Sequence, residues 1–88
     1  HLAGVRIYRT RHGFYIGVDP LKLDELAAGT AFTIVLPPEP DAWTELERVW
    51  RRERWRVVMA ADGQHKGYEL VDSAPLDAEQ IAYFESLE

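Results

Sequence analysis

The residues able to ligate a metal or move a proton near neutral pH are three histidines, His1, His12 and His65. Their placement argues against both uses. No His-x-x-x-His or His-x-Glu pattern occurs, and His12 and His65 fall beside expected turns. No cysteine completes a ligand set. We therefore expect no metal and no cofactor. Carboxylates are plentiful, as in Asp24-Glu25 and Glu45-x-Glu47, but acid/base chemistry needs two of them poised in one cleft with separated pKa values. Serine occurs only as Ser73 and Ser86, outside any Gly-x-Ser-x-Gly elbow, and the dispersed glycines form no phosphate-cradling loop. No motif specifies an activity. An enzyme reading reduces to a dispersed site, with His12, Tyr15 and His65 as its first residues.

A second chemistry is carried by arginine. Arg48, Arg51, Arg52, Arg54 and Arg56 are interleaved with Trp50 and Trp55, and guanidinium groups grip phosphates while aromatic rings stack on bases. This is the pattern of a nucleic-acid or other polyanion-binding module, with Arg51, Arg52, Arg54 and Arg56 as its contacts. The charge balance opposes it. The chain carries a formal charge of −5, and the basic stretches alternate with the acidic blocks Asp19–Glu47 and Gly67–Glu88, as expected of faces that pair with one another.

The 88 residues fit one domain, over 1–88, and the 47% apolar content supports one core without disulfides. The lack of cysteine fits a reducing compartment, and no apolar run approaches the roughly 20 residues of a membrane span, so a cytoplasmic protein with no membrane partner is expected. The first residue is His1 rather than methionine, which reads as a trimmed or tagged start. The preference for arginine over lysine suits a bacterial chain from a GC-rich or heat-adapted source.

The elements that must position these residues follow from periodicity. Gly4–Arg9 and Phe14–Val18 alternate as two strands around the loop Thr10–Gly13, where Gly13 can supply a positive φ. Asp19-Pro20 caps a short helix to Ala28, stopped by Gly29, and Ala31–Leu36 alternates as a third strand ended by Pro37-Pro38. Trp43, Leu46, Val49 and Trp50 recur at helical spacing, which predicts an amphipathic helix over Asp41–Arg54 with acids leading and arginines trailing. Trp55–Ala61 and Gly67–Val71 form a hairpin about Asp62-Gly63, in the register Trp55 with Leu70, Val57 with Tyr68 and Arg56 with Glu69. Asp77 and Gln80 make a capping box, and Leu76 and Ile81 a hydrophobic staple, for a last helix from Ala78 to about Leu87.

The order β-β-α-β-α-β-β-α predicts an α+β two-layer sandwich, an antiparallel sheet of about five strands with helices on one face, as a ferredoxin-like variant. If the helices cover Phe32, Ile34, Leu36, Trp55, Val57, Met59, Tyr68 and Leu70, the reverse face is half apolar through Thr33, Val35, Val58 and Val71. Such a face invites a second copy. The expected function is a non-enzymatic binding or protein-interaction module, a homodimer joined through sheet faces or edges.

Overall fold

The computed structural model describes residues 4–88, so the reading of His1 lies outside the described residues. Five segments form one open antiparallel sheet: β1 (Ile7–Arg9), β2 (Phe14–Ile16), β3 (Ala31–Leu36), β4 (Arg51–Met59) and β5 (Lys66–Pro75). They pair in chain order, which leaves β1 and β5 at the edges. One helix, α1 (Ala78–Leu87), follows β5. This meander corrects the expected sandwich. There is one α-helix among the described residues, the strand order is not that of a ferredoxin-like fold, and most of the ordered chain is sheet.

The difference comes from the stretch predicted as the helix Asp41–Arg54. It is instead an irregular connection with a single 3₁₀ turn at Leu46–Arg48, and Arg51 already begins β4. Trp43 shows how far the helical stripe misled: it is 97% exposed, whereas Trp50 is buried. As a central strand, β4 finds partners for the backbone groups that point toward β3 and for those that point toward β5, and this outweighs a local helical period. A competing period of two was present. It sets Arg52, Arg54 and Arg56 on one face and Arg51, Glu53, Trp55 and Val57 on the other.

Other local readings hold in part. The Asp19 carboxylate accepts the Leu21 N–H at 2.9 Å, although the helix it caps is a 3₁₀ segment, Pro20–Glu25, broken at Lys22. The β4–β5 register is the expected one, with Trp55 opposite Leu70, Arg56 opposite Glu69 and Val57 opposite Tyr68. The connecting turn is longer than two residues. Its strands end at Met59 and Lys66, and the Asp62 carboxylate accepts the N–H groups of Gln64 (2.8 Å) and His65 (3.0 Å). Those two backbone bonds, the His65 one first, hold the Asp62 carboxyl below its usual range. Farther along, Arg54 pairs with Asp72 and Trp55 with Leu70, so Val71 is an extra residue that bulges β5.

The core lies between α1 and the β1–β3 half of the sheet. Phe14, Val35, Trp50 and Phe84 are buried together, with Ile7, Ile16, Leu76, Ile81, Tyr83 and Leu87 packed around them. The capping box forms as expected, Asp77 Oδ1 accepting the Gln80 N–H at 2.8 Å and Gln80 Oε1 the Asp77 N–H at 3.0 Å. The face it covers is the reverse of the expected one. Phe14 is paired with Val35, so both point toward α1, while Phe32, Trp55 and Val57 point away.

Gly13 has a different role from the one its turn suggested. Its φ is not positive; a Cβ there would lie 2.7 Å from the Val35 carbonyl oxygen and 2.8 Å from Leu36 Cδ2. Thr10 completes the loop by accepting the His12 and Gly13 N–H groups, both at 3.1 Å. Gly13→Ala is therefore expected to cost about 1–3 kcal/mol by overpacking, read as a lower urea midpoint at unchanged slope.

Candidate functional site

Of the four expected contacts, Arg52, Arg54 and Arg56 share one face of β4, and Arg51 lies on the other. Arg51 is 3% exposed, its guanidinium enclosed by the carbonyl oxygens of Glu47 (3.0 Å) and Pro37 (3.3 Å) and the carboxylates of Glu53 (3.3 Å) and Glu39 (3.4 Å). It clamps the Pro37–Val49 connection onto the sheet. Arg52 pairs with Asp72 at 2.8 Å, Arg56 with Glu69 as its register position requires, and Arg54 donates to the Thr33 hydroxyl at 3.3 Å. Arg48 is spent on the Ala42 carbonyl. A phosphate approaching this face meets Arg52 and Arg56 paired with carboxylates and Arg54 bonded to a hydroxyl.

His12, Tyr15 and His65 are not brought together. His12 lies in the β1–β2 loop at one end of the sheet, Tyr15 within β2, and His65 in the β4–β5 connection at the opposite end, beside the Asp62 carboxylate. Among the described residues no three His, Asp or Glu side chains assemble into a possible metal site. The four residues expected at an interface differ in exposure. Val35 is core, Thr33 and Val58 are half-buried, and Val71 stands exposed on the bulge of β5.

What the fold leaves open lies elsewhere, at three places. The first is the β5 edge. It is ten residues long, flanked by strand on one side only, and Tyr68, Leu70 and Val71 on it and Met59 beside it are each 45–46% exposed. Tyr68 is steadied by an edge-on contact with Phe32, ring centres 5.9 Å apart. Lys66, a charge that would guard such an edge, instead donates to the Asp24 and Leu26 carbonyls, both at 2.9 Å.

The second is Trp43, at the outer part of the Pro37–Val49 connection. That connection is held by Arg51 at its base, by the Glu39 N–H on the Glu47 carbonyl (2.9 Å), and by Arg48 on Ala42 (2.8 Å). The third is a groove where α1 meets the β1 edge. It has two adjoining lobes of about 300 Å³ each that share Arg9 and Phe14. One lobe is apolar, lined by Val5, Ile7, Tyr83 and Leu87; the other carries Arg11 and Glu88.

Reading the sequence named sheet faces or edges as a contact without singling out β5, and it missed Trp43 and the groove, because it assigned Trp43 to a core helix and the helices to the opposite sheet face. The signal for Trp43 was its setting, after Pro37, Pro38 and Pro40 and between Asp41 and Glu45, which is loop composition. No helix among the described residues is long and apolar enough to cross a membrane. Comparison with protein-family models, with characterised proteins and with solved structures returns no match, so the reading of this site rests on its own residues.

Proposed function

We propose that this chain is a non-enzymatic protein-interaction module that self-associates, and that its contact is β5 paired antiparallel with β5 of a second copy. The observation that carries the reading is the uncovered ten-residue β5 edge with its exposed apolar side chains. Sheet edges of this kind pair with other chains unless they are short, charged or covered. The opposite edge is protected in the first of these ways, since β1 has only three residues.

The sequence of β5 is compatible with itself. In a register centred on Tyr68, the segment Lys66–Leu70 pairs regularly up to the bulge, placing Tyr68 against Tyr68, Lys66 against Leu70 and Gly67 against Glu69. No like charges stand opposite. Pairing would also lay the exposed Tyr68 and Leu70 of both copies into one apolar stripe. The shape favours a partner as well. The molecule is a slab of 41 × 34 × 20 Å exposing 6180 Å², against roughly 5,300 Å² typical of a monomer of its mass. A reducing, cytoplasmic setting belongs to the same proposal, supported by the cysteine-free composition.

Sedimentation velocity tests it. The wild-type chain is expected to form dimers at micromolar concentration, and Tyr68→Glu, which would set two carboxylates face to face at the dyad, is expected to lose that dimer and stay monomeric over the same micromolar range with an unchanged circular dichroism spectrum. A wild-type chain that stays monomeric throughout, or a Tyr68→Glu variant that dimerises equally well, overturns the proposal.

A further inference from the structure

We infer that Trp43 is the knob of a second contact between copies: it inserts into the groove between β1 and α1 of a neighbouring chain, past the Arg9 and Arg11 at that groove's mouth. The contact uses none of the β5 edge and stands or falls separately from it.

Trp43 is 97% exposed on a connection that is tied down at several points rather than left free. With that backbone tied, burying the ring costs only the freedom of its own two side-chain torsions, which is the character of an interface anchor. Its surroundings select the partner. Asp41 and Glu45 flank it and form no ion pair among the described residues; Glu39 is held by Arg51, and Glu47 accepts the Thr44 hydroxyl. Arg48 is the one cation on this connection, and its Nε donates to the Ala42 carbonyl. The knob is thus apolar with an acidic rim, and it fits an apolar hole with a basic rim.

This chain carries such a hole. Val5, Ile7, Phe14, Tyr83 and Leu87 line its apolar lobe of about 300 Å³, ample for an indole given that cavities of ~150 Å³ accept benzene. Arg9 is shared with the second lobe, which Arg11 flanks, and neither arginine forms an ion pair among the described residues. Glu88 is the opposing charge on that rim. The groove is shallow and open-sided, a poor enclosure for a free small molecule but suited to a side chain delivered by a protein surface. Knob and hole lie on different parts of the chain, so the contact is head-to-tail rather than two-fold.

The test uses the full chain carrying Tyr68→Glu, which removes β5 pairing. This chain, monomeric at the micromolar concentrations where the wild type pairs through β5, is expected to associate as its concentration rises beyond them, with a blue shift in the emission component that Trp43→Ala abolishes. On the same background, Trp43→Ala and the double change Arg9→Glu with Arg11→Glu should each weaken association by about 30-fold or more, the loss that follows removal of a central anchor or reversal of its rim. Mixed in equal amounts, the two variants should recover a one-to-one complex, since the first keeps an intact groove and the second an intact knob. A Tyr68→Glu chain that is monomeric at every concentration, or mixed variants that remain apart, overturns the inference. Wild-type assembly that is indifferent to Tyr68→Glu overturns the β5 contact and not this one.

Discussion

Arg51→Ala is expected to destabilise the protein by about 3 kcal/mol, a large share of the stability of a domain this small. The guanidinium is nearly inaccessible and satisfies four groups at once, two carbonyl oxygens and two carboxylates. Its removal strands them unequally. Glu39 is more than half exposed and regains water, whereas the Glu53 side chain is only 16% exposed and keeps a single donor, the Trp55 indole N–H at 3.2 Å. Leaving that carboxylate buried accounts for most of the loss, and the freed Pro37 and Glu47 carbonyls add to it. Arg51→Lys should recover only part, because one ammonium cannot span the four acceptors that the planar fork reaches. Urea unfolding measures both, and limited proteolysis should locate new cleavage within Pro37–Val49. A wild-type midpoint in the alanine variant would mean that the clamp contributes nothing.

Phe84→Ala is expected to cost about 3–5 kcal/mol and to unseat the helix. Phe84 is the one buried residue of α1, its ring 5.3 Å from that of Phe14 and 6.4 Å from that of Trp50. A helix of ten residues is too short to persist on propensity and capping alone, so its stability is borrowed from this contact. The variant should lose helical signal in the far ultraviolet, and Trp50 emission should move to the red as water reaches the ring. An unchanged Trp50 emission would place Phe84 outside the shared core. The same substitution should empty the β1–α1 groove of its floor, because Phe14 and Tyr83 both lean on Phe84.

Why these two positions dominate could be read only in part beforehand. Phe84 was legible: Leu76, Asp77, Gln80 and Ile81 announce where α1 begins, and the spacing from Ile81 to Phe84 states which side is buried. Arg51 was not. A guanidinium in a run of arginines gives no sign of burial, and its acceptors come from Pro37, Glu39, Glu47 and Glu53, which meet only when the connection folds over β4. The same holds for the neighbouring cations, whose partners Asp72, Thr33 and Glu69 arrive from adjacent strands.

What the sequence by itself determined is local: the two hairpins, the Asp19 and Asp77 caps, the extent of α1 and the register that sets Arg56 against Glu69. Each depends on residues a few positions apart, or on a turn that brings near neighbours together, so the physics is complete within the segment. The tertiary structure alone decided that Arg51–Arg56 is strand rather than helix, which sheet face α1 covers, and that Trp43 stands in water while Trp50 is sealed. Those outcomes turn on backbone groups of β4 finding partners on both sides at once. Such partners exist only after distant strands have met, and a period of residues along one segment cannot express their free energy.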